Sequence, residues 1–418
     1  MATWYSEFKP EVVIDRIEKN KTIDTNGQVL IHGFEFSEYT SILGSMIHFN
    51  REIPEVERKK IINQSIFAAA TKVLMHDKLI AEISRREKSY LATPKTRFRL
   101  VTSISMQNPK VPLLFRFKEI ELSFGWRQSK TISTARNIIL NRTKDTVVGG
   151  LPSFYESVSV LVSARTSNEA AALALDQLDL VRGIWNFWKN RATWIRKSSG
   201  TRSLVNLIIL GPIHTLHMPS GALATESWWY EPSYRGSVSL YREPDRIEKM
   251  TTFTKLVRSH LQRIPYRETV ESAIIRYTRA LDSRDWNYAF LQLWSIIELL
   301  TGTTANESHK TTMKRVASTY KADDGYLAQS LIHLRMHRNN AVHTGEEVEN
   351  VEPLMYQAKN IVEHLIEFHL FHSGKFKKLE NAAEFLDSVD SVDSVDSVEA
   401  LDKRIRKLQL VRSYIAAL

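Results

Sequence analysis

Cysteine is missing from all 418 residues. That absence excludes disulfide staples, thiolate metal sites and cysteine nucleophiles together, and it fits a reducing cytoplasm. No run approaches the roughly 20 apolar residues that a membrane-spanning helix needs. The opening "MATWYSEFKPEVVIDRIEKNK" carries early acids and no apolar stretch ahead of a small-residue cleavage site, so it does not read as a secretory signal. A serine-hydrolase elbow, a His-Glu-x-x-His zinc helix and an EF-hand loop are likewise missing. "WIRKSSGTRSLVN" (Trp194 to Asn206) is basic and contains Ser and Gly, but it lacks the spaced glycines and Lys-Ser/Thr ending of a Walker loop. It reads as a solvated loop.

What is present is an ordinary globular composition, 43% hydrophobic and 25% charged, in a chain long enough for two or three cores. The net charge of +10 supplies a long-range attraction for polyanions. Up to residue 244 the pattern is mixed. Thr96 to Met106, Val111 to Phe124 and Glu156 to Ala164 are rich in β-branched and aromatic residues and read as three strands. Pro54 to Arg86 reads as one long helix opening on a proline. A second helix, Thr166 to Asn190, starts with Thr166 three residues before Glu169, the capping-box spacing. The aromatic cluster "ESWWYEPSYRG" (Glu226 to Gly236) can stack on bases, but such clusters more commonly pack a core or a domain interface.

From residue 245 to 375 apolar residues recur at three- and four-residue spacing, broken by short Gly, Asp or Thr connections, which predicts an all-α antiparallel bundle after the α+β region. Residues 376–400 contain "DSVDSVDSVDSVE". Valine every third residue drifts around a helix, so this acidic stretch reads as a linker. Residues 401–418 place Leu401, Ile405, Leu408, Val411 and Ile415 on one face of an amphipathic closing helix.

The densest chemistry lies in "HLRMHRNNAVHTGEEVEN" (His333 to Asn350). His333 and His337 are four apart, a metal-ligand spacing, yet no third ligand is apparent. Asn339 and His343 are also four apart, and Arg338 stands five before His343. An imidazole can move a proton at a ribose hydroxyl, a guanidinium can hold a phosphate as charge builds on it, and an amide can orient either. Those are the parts for cutting RNA without a metal, and two copies across a two-fold axis would complete the acid/base pair. The plain alternative is that Arg and His near a helix end serve its dipole and last carbonyls, with Thr344-Gly345 as the stop.

Arg338-Asn339-x3-His343 resembles the R-x4-6-H motif of the HEPN superfamily. "AFLQLWSIIELLTG" before it and "LDKRIRKLQLVRSYI" after it are similar to the Apea-like branch, so the resemblance covers about Arg267 to Leu418. It implies a helical domain that dimerises, bringing two motif helices together as a metal-independent ribonuclease with Arg338 and His343 as the catalytic pair and Asn339 beside them. The motif departs from the branch in one respect: no tyrosine stands two positions after His343, which disfavours the variants paired with a nucleotidyltransferase antitoxin. His333 and His337 are expected to flank the cleft, and Glu298, a carboxylate in a mostly apolar helix, has Arg338 as its candidate partner. The expected function is an RNA endonuclease acting as effector of a bacterial defence or toxin system in the cytoplasm, with no cofactor or metal. Its partners would be RNA (tRNA, or phage or host mRNA), a second copy or a higher even-numbered oligomer, and a trigger sensed by residues 1–244. The competing expectations are a non-catalytic dimerisation or RNA-binding module, and a metal-dependent hydrolase using His333 and His337.

Overall fold

A computed structural model describes residues 1–26, 28–31, 35–49, 53–107, 113–117, 119–191, 204–238, 240–242, 244–320, 325–343, 351–389, 402 and 405–406, with the backbone alone at 35, 244, 245, 342, 343 and 389. Residues 194–203 of the basic loop, most of the Ser-Val-Asp repeat and nearly all of the closing helix lie outside that set. The chain is mixed α+β and rich in helices.

The first unit contains β1 (Thr3–Trp4), α1 (Pro10–Asn20), β2 (Lys21–Ile23), β3 (Val29–Ile31), α2 (Glu35–Met46), β4 (Ile47–His48), α3 (Glu55–Ala69) and α4 (His76–Ala92). Its helices close around Ile17, Leu43, Ile62, Ile66, Leu79 and Ile83. The single helix expected over Pro54 to Arg86 is in fact two. No glycine or proline marks the break; the end of α1 and the start of β2 supply it from a distance. Lys21 Nζ donates to the carbonyls of Ala70 (2.9 Å) and Lys72 (2.5 Å), while Glu18 accepts from the Leu74 amide at 3.0 Å. Backbone groups that a continuous helix would pair internally are thus satisfied by side chains of another element.

The second unit is a six-stranded sheet. Its strands are β5 (Thr96–Ile104), β6 (Leu113–Phe117), β7 (Ile120–Phe124), β8 (Glu156–Ala164), β9 (Ile213–His217) and β10 (Trp229–Tyr230), with α5 (Lys130–Thr143) and α6 (Ser167–Asn190). The order is β10-β9-β5-β8-β7-β6, with every pairing antiparallel. The strand expected over Val111 to Phe124 folds back on itself, since Phe117 pairs with Ile120. The two intervening positions carry none of the Asn-Gly chemistry that announces a tight hairpin. On one face lies α5, whose buried Arg136 donates to the carbonyls of Val101 and Ile213 and to Thr215. On the other lies α6, capped as its sequence foretold: Thr166 accepts from the Glu169 amide at 3.1 Å.

Helix α6 joins the halves. Ala170, Ala174, Leu178, Val181 and Trp185 pack on the sheet, while Leu180, Ile184 and Phe187 enter the helical core. Trp185 stands 4.6 Å from the Phe124 ring. Truncating so buried an indole to alanine costs on the order of 3–5 kcal/mol. The core reached by α6 is built from α7 (Pro244–Arg263), α8 (Arg267–Leu281), α9 (Trp286–Leu300), α10 (His309–Ala317), α11 (Tyr326–His343) and α12 (Glu352–Phe371). The boundary near residue 244 is therefore shared, because one helix of the α+β region belongs to both cores. Helix α13 (Leu379–Val389) occupies the start of the expected linker. It buries Ala382, Ala383 and Leu386, and Asp387 pairs with Arg315 through two bonds of 2.9 and 2.8 Å. Among the described residues no helix is long and apolar enough to cross a membrane.

Candidate functional site

Helix α11 carries the motif. Leu331 and Leu334 are its fully buried side chains, and both sit in the helical core. Tyr326, Gln329, His333, Met336 and Asn340 are exposed. Those positions alternate spacings of three and four, so they form one seam along the solvent side of the helix, and position 343 continues it by register. Met336 is 56% exposed and Tyr326 is 70% exposed, so the seam carries two exposed apolar side chains.

Arg338 and Asn339 are half-buried on the last turn and a half, where Arg338 Nη1 donates to Asn339 Oδ1 at the long distance of 3.5 Å. At about 100° per residue, Asn339 and position 343 lie about 40° apart around the helix, and Arg338 about 140° from position 343. One α11 therefore presents the amide and the histidine position on one side and roots the guanidinium on the core-facing side. His333 and His337 pack edge to face with ring centroids 4.5 Å apart. Burial, and then the neighbouring His333, hold the His337 imidazole below its ordinary pKa, and its buried Nδ1 has no hydrogen-bond partner among the described residues. The two rings thus meet at right angles, and burial biases the His337 imidazole toward its neutral form. Among the described residues no group of three or more His, Asp or Glu side chains is placed to hold a metal ion.

Glu298 departs from its expected pairing. Its Oε1 accepts from Trp294 Nε1 at 2.7 Å and lies 3.0 Å from His309 Nδ1. The carboxylate thus ties α9 to the start of α10 in place of reaching Arg338. Its neighbour in the fold is a histidine eleven positions on, a separation no helical spacing rule would flag.

A second concave site involves residues that stood apart in the sequence. Between α6, the β9–β10 edge and the α8–α9 turn lies a cavity of about 490 Å³. His214 forms its buried wall, with Nδ1 2.7 Å from Thr102 Oγ1 and Nε2 4.0 Å from Glu231 Oε2. Burial drives the His214 imidazole down to about 3, so the ring is neutral at pH 7. Glu231 accepts from Ser233 Oγ through Oε1 at 2.7 Å. Arg235 Nη1 donates to the carbonyls of Pro232 and Tyr234, which fixes the guanidinium against its own turn. Tyr230 and Tyr288, 40% and 51% exposed, stand at the same cavity. The aromatic cluster Glu226 to Gly236 is thus divided. Tyr234 is buried, as a core reading requires, while Trp228 and Tyr230 remain exposed.

Compared with protein-family models, the chain matches none. Neither a curated protein nor a solved structure is significantly similar to it.

Proposed function

We propose that the protein is a metal-independent RNA endonuclease of the HEPN type, the effector of a bacterial defence or toxin system, acting when two copies pair along α11. The observation that carries this reading is the solvent-facing seam of α11, which leads by register to His343 and leaves Arg338 half-buried at the rim. A seam with three- and four-residue spacing suits a second helix, and a two-fold pairing would set the two His343 positions near each other, with each Arg338 reaching round from the core-facing side of its own helix. In the reaction the ribose 2'-oxygen attacks the adjacent phosphorus and passes its proton to one imidazole. The bond from phosphorus to the 5'-oxygen breaks, and that oxygen takes a proton from the other imidazole. The products are a 2',3'-cyclic phosphate and a 5'-hydroxyl. Arg338 neutralises charge on the phosphoryl oxygens, and Asn339 orients it. The net charge of +10 favours the polyanionic substrate.

The roughly 140° between Arg338 and position 343 favours a second reading, in which the paired helices bind RNA or dimerise without cutting. The two readings separate on one assay. Cleavage of total RNA in EDTA is expected to fall by about 10²–10⁴-fold in Arg338→Ala and in His343→Ala, with the sedimentation of each variant unchanged. RNA that is retained but uncut by the unaltered protein supports the binding module, and full activity in both variants removes the motif from the chemistry.

A further inference from the structure

The cavity between α6, the β9–β10 edge and the α8–α9 turn shares no residue with the α11 motif. Its size falls in the range of small-molecule sites, of roughly 300–1,000 Å³, and is too small for a folded nucleic acid. Its groups are of three kinds. Tyr230 and Tyr288 line it and are both exposed, and tyrosine rings are platforms on which a planar heterocycle can stack. Arg235 presents a guanidinium whose Nη1 is already anchored to two backbone carbonyls, so little side-chain entropy remains to be lost when its other donors meet an anion. Glu231 uses Oε1 on Ser233, while Oε2 faces His214 Nε2 across 4.0 Å, too far for a hydrogen bond between them.

The remaining charges around the cavity are committed to the fold. Asp179 accepts from Arg182 at 2.6 Å and from Arg279 at 2.8 Å. Arg279 also donates to Asp176 at 2.6 Å. Among the described residues that line the cavity, what stays available is one anchored cation, one carboxylate oxygen beside a neutral imidazole, and two exposed tyrosines. A ligand that satisfies all of them carries an aromatic ring, an anionic group, and N–H donors on the ring edge.

We propose that this cavity binds a nucleoside monophosphate whose base offers adjacent N–H donors, as guanine does, with the base on Tyr230 and Tyr288, its donor edge on Glu231 and its phosphate on Arg235. The site sits where α6, packed on the sheet, meets α8 of the helical core, so an occupant touches both halves of the molecule at their joint.

The test is calorimetric titration of the full chain with GMP, AMP, guanosine and inorganic phosphate. GMP is expected to bind one to one. AMP should bind roughly tenfold or more weakly, because adenine places a ring acceptor where guanine has a donor. Arg235→Ala is expected to weaken GMP by roughly tenfold to a hundredfold and leave guanosine unchanged, while Tyr288→Ala weakens both. Both side chains are exposed, so unchanged thermal melting will separate lost binding from lost folding. The Arg338→Ala and His343→Ala variants should bind GMP as the unaltered chain does, which keeps this result independent of the ribonuclease reading. GMP binding no tighter than inorganic phosphate, or equal in Arg235→Ala and Tyr288→Ala, overturns the proposal.

Discussion

Buried histidines show how this fold treats protonation. His369 is fully buried on α12. A carbonyl can only accept, so its Nε2 donates to Leu300 O at 2.8 Å and its Nδ1 accepts from the Tyr266 hydroxyl at 2.9 Å. The neutral ring is satisfied on both sides, and burial depresses its pKa to about 4. Burial likewise depresses the His214 imidazole, to about 3. Since the ordinary histidine value is about 6.5, the unfolded chain binds protons at these sites before the folded one does. Stability from both groups is therefore complete above pH 6.5 and lost as pH falls through 6.5 toward 3. Denaturant midpoints should be flat from pH 7 to 8 and decline below about 6.5, with a shallower decline in His369→Gln, whose amide can keep both hydrogen bonds. The same pH dependence in His369→Gln as in the unaltered protein would contradict a buried neutral His369. At this scale the sequence was informative about types and poor about partners. The string Arg338-Asn339-x3-His343 was legible because it lies within one helix. The partner of Glu298 was not, because His309 reaches it only once α9 and α10 have packed.

Helices were largely legible where local rules govern them. The Thr166 cap follows from its capping-box spacing and the spans of α8, α9 and α12 from apolar spacing, although neither α8 nor α12 opens on a side-chain cap. They failed where another element decides: Glu18 and Lys21 divide α3 from α4, and Arg315 draws Asp387 into a docked helix at the head of a repeat that looks like linker. Gly183, in the middle of α6, is a further instance. A Cβ there would meet Thr278 Oγ1, and would come within 2.9 Å of Ile274 Cγ2 and 3.2 Å of Ile274 O. Alanine gains up to about 1 kcal/mol of helix propensity over glycine, whereas overpacking at a helix crossing costs about 1–3 kcal/mol. Because a backbone carbonyl and a buried threonine cannot swing aside, Gly183→Ala is expected to destabilise the protein by about 1–2 kcal/mol in urea unfolding. A gain in stability would show that α6 and α8 are not so closely packed.

Across the whole molecule, α6 is the shared beam. Asp179, Arg182, Asn186 and Asn190 follow one another at helical spacing along it, all buried. They meet Asp282, Ile208, Asn206 and Tyr277 on the neighbouring segments. Lys359 continues this polar seam onto α12, donating to the Asn190 carbonyl and to Glu363. The division into an α+β region and a helical half was legible from periodicity, but this seam was not. Its members come from four separate stretches of chain, and each looks locally like an ordinary polar residue. The same holds for the cavity beside it, assembled from α6, β9, the turn after β10 and the start of α9. A joint of this kind places a small-molecule site against the same helical core that carries α11.

The central claim is that α11 cuts RNA with its own side chains, and the chemistry of the cut ends tests it most directly. Purified protein is incubated with total RNA in EDTA and the new ends are analysed, alongside His343→Ala. The unaltered protein is expected to leave 2',3'-cyclic phosphate and 5'-hydroxyl ends, and the variant none. Intact RNA, or fragments bearing 3'-hydroxyl ends, would contradict that claim.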